Sequence, residues 1–335
     1  MRARTRRRRL IGGAAAFGGL GLLVPAVARR ARAGPRQTAR AVVGVRVEAD
    51  PEARSARTLG RERTGSGVVI DSAGLVLTIG YLLLEAAGIE IQAEGRTVPG
   101  EVVAYDGQSG LGLARALGPL GVPPAPLGRS AGLLVGTPLL ALARVGRLDG
   151  RPVTLVDRRE FAGYWEYLLD EALFTAPPFE QFAGAVLVDA LGAVLGIGSL
   201  FVADAAGRGV ESPGNLFVPV DLLPPILGDL LAFGRRQAPT RPWLGLTLRE
   251  ENGIVRVMRV AEDGPAQRAG IQPGEIVLGV AGERITSLAA FYRRVWGLGV
   301  AGVAVPLDLH GGGVLRRVTV ASIDRDRWLR WRRTF

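Results

Sequence analysis

From Ala41 onward, short runs of alternating apolar and polar residues recur, each closed by Gly or Pro. "AVVGVRVEA", "GSGVVI", "GLVLTI", "IEIQAEG" and "TVPGEVVAYD" follow one another between residues 41 and 106, and "AVLGIGSLFVAD" and "NLFVPV" continue the pattern up to Val220. A period of two with evenly spaced turn signals predicts the strands of an antiparallel sandwich or barrel. The period then lengthens. "DLLPPILGDLLAFGRR", residues 221–236, predicts an amphipathic helix ending at Gly234. "RQAPTRP", residues 236–242, reads as a linker because its two prolines break either period. A second unit follows over about residues 242–322. Its strands are "WLGLTL", "GIVRVMRV" and "GEIVLGVAGERI", its helices "GPAQRAG" and "LAAFYRRVWGLG", and a hairpin turn falls at "HGGG". No internal repeat is present.

Composition agrees with this reading and removes several chemistries. The 335 residues suffice for two ordinary domains, and 48% hydrophobic against 22% charged residues permits a packed core. The 48 glycines and 21 prolines suit an all-β chain with many turns. There is no cysteine, hence no disulfide and no thiolate nucleophile. All 42 basic residues are Arg, so neither a Ser-Lys dyad nor a Schiff base can form. His310 is the single histidine, and one subunit cannot build a multi-histidine zinc site from it. No cofactor and no metal is expected.

The formal net charge of +11 is unevenly placed. Eleven Arg and no acid lie in residues 1–40, while the remaining 31 Arg balance 31 acidic residues. The basicity thus belongs to a leader, and no nucleic-acid footprint is expected on the folded body. The leader has a basic start, an apolar stretch Leu10–Ala28 and small-residue cleavage candidates ending at Ala28 and Ala33. "TRRRRL" with a Gly/Ala-rich core resembles a twin-arginine export signal. A stretch of 19 apolar residues also approaches the length of a membrane anchor, about 20 residues, although five glycines and Pro25 weaken it. The expectation is a periplasmic or otherwise exported protein, with residues 1–33 either cleaved or holding it to the inner membrane. The Arg/Trp-rich end, residues 323–335, fits either contact with a membrane surface or acidic partner, or a solvated end with Trp328 or Trp331 packed back.

Four segments in order resemble the high-temperature-requirement (HtrA/DegP) family of serine proteases. "GSGVVIDSAGLVLTIGYLLLEA" is similar to the family's "GSGvIid-dGyilTnnHVv-gA", and "LGRSAGLLVGTPLLALA" to its "lGdSd-lrvGd-vlAiG". "RPWLGL" matches the entrance to its PDZ domain, and "GPAQRAGIQPGEIVLGVAGERI" is close to the PDZ pattern itself. The resemblance covers about residues 41–322. It implies a mainly-β fold: a trypsin-like double β-barrel over 41–232, a linker over 233–241 and one C-terminal PDZ domain over 242–322, with a tail from 323. It also implies an envelope protein that binds peptide or protein C-termini or unfolded envelope proteins, as a homotrimer or beside an active homologue.

The family's catalytic positions carry other residues here. Its histidine falls on Tyr81, its aspartate on Gly110 and its serine on Ala183, while the glycine two before the serine is Gln181. A serine hydrolase needs a hydroxyl nucleophile, a base near neutral pKa and a group to orient that base. Ala183 has no hydroxyl, Gly110 no carboxylate, and a tyrosine phenol of pKa about 10 is a poor base at neutral pH. These substitutions predict a pseudoprotease. Two alternatives stand beside it: an active endopeptidase whose site is rebuilt from Ser66, Ser109, Thr78, Asp106 or Glu180, and a structural scaffold partner whose PDZ unit contacts its own chain or an active homologue. Phe179 and Phe182 are candidates to fill the former cleft. In the PDZ unit the resemblance places the peptide-binding loop at Trp243, Leu244, Gly245 and Leu246, with Tyr292 and Arg293 on the helix opposite.

Overall fold

The computed structural model describes residues 34–329. The leader signal, its cleavage sites and anchor, and the end of the tail with Trp331 lie outside the described residues. After a short helix α1 (Pro35–Ala41), six strands close a first barrel: β1 (Val42–Ala49), β2 (Glu62–Val69), β3 (Leu75–Ile79), β4 (Ala86–Ala93), β5 (Arg96–Tyr105) and β6 (Leu111–Ala116). A one-turn helix, α2 (Ala56–Leu59), joins β1 to β2. Six more strands close a second barrel: β7 (Pro138–Val145), β8 (Arg147–Gly163), β9 (Tyr167–Ala176), β10 (Val186–Val188), β11 (Val194–Val202) and β12 (Gly214–Pro219). All pairings within both barrels are antiparallel.

The alternating pattern explains the first barrel directly. In β1, Val45, Val47 and Ala49 point inward, while Arg46 and Glu48 face solvent. Its first residues, Val42 to Gly44, are buried on both faces because the second barrel covers the outer one. Arg144 of β7 closes this seam. Its Nε donates to the Val42 carbonyl at 2.8 Å and its backbone N–H donates to Ser66 Oγ at 2.8 Å.

The helix expected over 221–236 is shorter than its pattern. A 3₁₀ turn spans Val220–Leu222, Pro224 and Pro225 follow, and the α-helix α3 runs only over Leu227–Phe233. The two prolines withhold backbone donors and block an earlier start. Gly234, at φ 74°, caps the helix as the sequence predicts.

The third unit is a sheet ordered β13-β14-β15-β17-β18: β13 (Leu246–Glu251), β14 (Ile254–Val260), β15 (Ile276–Val280), then β17 (Ala304–Gly311) and β18 (Val314–Ala321), with the short β16 (Glu283–Arg284) paired to β15. Two helices, α4 (Pro265–Arg268) and α5 (Leu288–Gly297), complete it. Ser287 Oγ caps α5 by accepting from the Ala290 N–H at 3.0 Å, and Leu288, Phe291, Tyr292 and Val295 form its buried face. His310 lies within β17 opposite Ile276 and is half-buried, not in the turn where the sequence pattern suggested it, because the hairpin turns two residues later at Gly312 and Gly313.

The last described element, α6 (Arg325–Trp328), folds back onto the body. Ile323 pairs with Trp243, the Trp328 ring lies 4.9 Å from the Trp243 ring, and Leu329 is buried beside Leu84 and Tyr105. Of the two fates open to Trp328, the structure shows the packed one. Among the described residues, no helix is long and apolar enough to cross a membrane.

One buried amide fixes the loop that leads to Ala183. Asn215 of β12, fully buried, accepts from the Phe179 N–H at 2.6 Å through Oδ1 and donates to the Phe179 carbonyl at 3.2 Å through Nδ2. Phe179 itself packs among Leu139, Leu155, Leu173 and Phe217, so it is core filler beneath the cleft. Asn215→Ala is expected to leave both Phe179 groups unpaired in a dry site and to cost about 2–4 kcal/mol in urea unfolding. A loss below about 0.5 kcal/mol would show that the loop is held by other contacts.

Candidate functional site

Two places matter: the region around Ala183 and the loop Trp243–Leu246. At the first, the turn 182–185 is seated on β2 and β11. The Ala183 carbonyl accepts from the Ser66 N–H at 2.8 Å, and the Gly184 N–H donates to the Gly198 carbonyl at 2.9 Å. Gly184 has φ 70°, and a Cβ there would overlap the Ser66 carbonyl and sit 2.7 Å from Thr78 Oγ1. Only glycine fits such a position. Tyr81 reaches β11, the strand that receives the turn's Gly184 N–H. Its hydroxyl donates to the Ser199 carbonyl at 3.0 Å, and burial pushes its phenol well above the usual range. It is a committed donor, not a base.

Gly110 sits behind Tyr81, its carbonyl accepting from the Gly80 N–H at 2.7 Å. It adopts φ 78°, and a Cβ there would lie 2.9 Å from the Tyr167 hydroxyl. The Tyr167 hydroxyl in turn donates to the Ser109 carbonyl at 2.6 Å. A tyrosine from the second barrel thus covers the position where the resemblance places a carboxylate.

Of the side chains proposed for a rebuilt site, Ser109 and Asp106 are brought together by hydrogen bonds, and all but Glu180 are buried in structural contacts. Ser66 is fully buried and its Oγ accepts from Arg144; Thr78, also fully buried, donates to the Ser66 carbonyl at 2.6 Å. Ser109 Oγ accepts from the Leu111 N–H at 3.2 Å. Asp106 is buried, which works to raise its pKa, but hydrogen bonds from Arg236 at 2.8 and 3.1 Å and from Ser109 prevail and hold it below the ordinary range. Glu180 is exposed. The Gln181 side-chain oxygen is buried without a hydrogen-bond partner among the described residues.

The loop Trp243–Leu246 is occupied. Gly245, at φ 82°, turns the backbone so that three successive N–H groups converge. Their target is the carboxylate of Glu166. Oε1 accepts from Gly245 at 2.7 Å, from Leu246 at 2.9 Å and from Leu244 at 3.2 Å, and Oε2 accepts from Leu244 at 2.9 Å. Glu166 comes from the tight turn between β8 and β9 and has φ 61°, an unusual conformation for a residue with a side chain.

The rest of that turn lies between β13 and α5. The Tyr164 carbonyl accepts from the Leu248 N–H of β13 at 2.9 Å, a strand-like bond. From α5, the Tyr292 hydroxyl donates to the Gly163 carbonyl at 2.6 Å and accepts from the Glu166 N–H at 3.1 Å. Arg293 pairs with Glu160 on β8 and with Asp170 on β9 at 2.8 Å. Leu168 joins the hydrophobic core of the third unit. Tyr292 and Arg293 are therefore brought to the same groove as the loop. Glu166 escapes sequence reasoning, because nothing in "GYWEYL" distinguishes its carboxylate from that of any turn glutamate.

Burial is the largest influence on Glu166 and pushes its pKa up to about 7; the amides of Leu246, Leu244 and Gly245, and the charge of Arg325, pull the other way. Asp326 nearby is pushed up to about 6 by burial and by Asp324.

Comparison with known proteins accords with this geometry. Residues 65–197 match the family model of the trypsin-like peptidase domain, and residues 256–295 match that of the PDZ domain. The HhoA protein of Synechocystis sp., named for a serine protease, is 30% identical over 287 residues, covering 77% of this chain and 70% of its own length. A DegP-like periplasmic serine endoprotease of Ectopseudomonas mendocina is 27% identical, covering 78% of this chain but only 57% of the relative. The crystal structure of a serine endoprotease from Yersinia pestis superposes with a TM-score of 0.51 at 24% identity, over 86% of this chain and 96% of that one, a likeness of fold.

The seated Glu166 holds its proton to about pH 7, whereas a released glutamate ionises near 4.3. Between these values the seated state binds more protons, so seating is favoured at low pH and weakens as pH rises through 7. In a ¹³C NMR titration of glutamate carboxyls, one resonance is expected to titrate near pH 7 and to vanish in Glu166→Gln. Titration of every glutamate below about pH 5.5 would refute this assignment.

Proposed function

Because this chain belongs to the HtrA/DegP-like family of trypsin-fold serine proteases with a C-terminal PDZ domain, we propose that it is a non-catalytic member, exported to the cell envelope, whose double barrel is a scaffold and whose PDZ unit recognises carboxylates. The observation that carries the first half is the surroundings of Ala183. The position has no hydroxyl. The nearby hydroxyls of Ser66, Thr78 and Ser109 are buried and already take part in structural hydrogen bonds. A nucleophile needs a base within hydrogen-bond reach and a free path to substrate, and none of these three has both. Tyr167 over Gly110 adds to this, since a carboxylate at 110 would have to displace it.

The second half is supported by the loop Leu244–Leu246, whose amides hold a carboxyl group through N–H···O hydrogen bonds of 2.7–3.2 Å. PDZ domains take an extended chain by strand addition, and the natural substrate class is a peptide or protein C-terminus, including those exposed by unfolded envelope proteins. Export rests on the twin-arginine-like leader and on the periplasmic relative. A role in envelope protein quality control, as a homotrimer or beside an active homologue, accords with both.

The test is chemical. The purified protein is expected neither to degrade fluorescently labelled casein above a buffer control nor to take up a fluorophosphonate probe, which labels activated serines without needing turnover. Ala183→Ser alone is expected to remain inactive, because Tyr81 and Gly110, where the resemblance places the histidine and the aspartate, supply neither a neutral-pH base nor an orienting carboxylate. Casein turnover accompanied by a fluorophosphonate adduct on Ser66 or Ser109 would establish a rebuilt site and overturn the proposal.

A further inference from the structure

The seating of Glu166 has no part in the barrel's fold. A hairpin turn needs no partner seventy-eight residues away, and a buried carboxylate is costly unless hydrogen-bonded. The turn nonetheless supplies each feature of an extended ligand. A carboxylate meets three loop amides, a backbone carbonyl pairs with β13 through Leu248, and an apolar side chain, Leu168, enters the domain's core. Tyr292 on the helical wall clasps the turn from the other side, bonding both Gly163 and Glu166. Strain is present as well: Glu166 sits at φ 61°, a conformation costing about 1 kcal/mol or more that persists only where surrounding contacts impose it.

We propose that the Gly163–Glu166 turn is an internal ligand of the PDZ groove, and that a free peptide C-terminus binds this protein only by displacing Glu166 from the Leu244–Leu246 amides. The proposal rests on the reading of that loop as a carboxylate receptor. Two carboxylates cannot share three N–H donors, so seating is mutually exclusive. An internal ligand competes at the high effective concentration of a tethered group, and the apparent affinity for a peptide is the intrinsic one reduced by the open fraction.

Displacement also reaches the barrel. Tyr167 follows Glu166 directly, stacks on Trp165 with ring centroids 5.2 Å apart, and lies over Gly110 through its bond to the Ser109 carbonyl. Tyr167 is thus the barrel residue adjoining the displaced turn, over the position where the resemblance places a carboxylate.

The test uses the full mature chain, with and without Glu166→Ala and Glu166→Gly; glycine suits the positive φ and guards against a variant that misfolds. The probe is a fluorescein-labelled pool of hexapeptides with random sequence, an apolar last residue and a free C-terminal carboxylate; the same pool with C-terminal amides is the control. Both variants are expected to bind the free-carboxylate pool at least tenfold more tightly than the parent, and the amidated pool not at all. Hydrogen exchange is the second readout. Without peptide, the amides of Leu244, Gly245 and Leu246 are expected to exchange at least tenfold faster in the variants. In the parent, saturating peptide is expected to deprotect residues 163–168. Loop amides equally protected in parent and variants would overturn the internal ligand while leaving the receptor reading intact. Deprotected loop amides with no peptide binding in either variant would overturn the receptor reading and the competition with it.

Discussion

A carboxylate removed from water must find donors, and in this protein Glu166 finds them in a different domain. That constraint organises the contact between the barrels and the PDZ unit. With Oε1 and Oε2 held by Leu244, Gly245 and Leu246, the turn between β8 and β9 has one position, and its neighbours follow. Tyr292 closes over the turn, Arg293 pairs with the acids on both strands of the hairpin, and Leu168 fills the PDZ core. Tyr167, one residue on, is carried over Gly110. Hydrogen bonds to backbone amides are directional, so this contact sets an orientation that apolar packing alone would leave loose.

On the proposed reading, the barrels keep their fold without the family's catalytic residues. Positions 81, 110 and 183 lie in turns and strand ends, and the core beneath them is built from Val, Leu and Ile on alternating strand positions. Replacing a side chain at the surface of a cleft leaves that core untouched. What persists around Ala183 is backbone geometry: Gly184 at positive φ, packed against the Ser66 carbonyl, and Gly198 receiving its N–H bond. These glycines shape the turn whether or not a hydroxyl stands on it.

The sequence made the architecture legible because strand period, turn residues and the "GPAQRAG" and "RPWLGL" segments are local signals. It placed the loop Trp243–Leu246 and the helix bearing Tyr292 and Arg293 for the same reason. It overextended the helix at 221–236, where the apolar period continues through Pro224 and Pro225 but the backbone does not. It set His310 in a turn that lies two residues further on. Glu166 was invisible, since its role is created by a partner 78 positions away. Equally hidden were Tyr167 over Gly110 and the burial of Ser66, Thr78 and Ser109, because alternation shows that a residue faces inward but not what it meets there.

Release of the hairpin does not require release of the domain. The PDZ unit is tied to the first barrel by a second set of contacts, through the tail and through Trp243 at the start of the same loop. Arg235 pairs with Asp324 at 3.2 Å, Trp243 pairs with Ile323 and lies tilted against the Trp328 ring at 4.9 Å, and Leu329 is buried against Leu84 and Tyr105. Arg54 lies 5.0 Å over the Trp328 ring from the barrel side. These are an ion pair, a backbone pair and apolar and aromatic contacts through the tail, none of them made by the Glu166 carboxylate. A device that opens at one attachment while held at another moves a turn of a few residues instead of a domain, and its energetic cost lies in the hydrogen bonds at Leu244–Leu246, the Leu248–Tyr164 pair, the Tyr292 clasp, the Arg293 ion pairs and the Leu168 contact. An incoming carboxylate replaces the first of these in kind, and an incoming strand replaces the second. What remains to be offset is the Tyr292 hydroxyl, the exposed Arg293 pairs, which as surface ion pairs are worth about 0–1 kcal/mol each, and one leucine side chain, worth about 1.5–3 kcal/mol when fully buried, which an apolar last residue of a peptide can supply in its place.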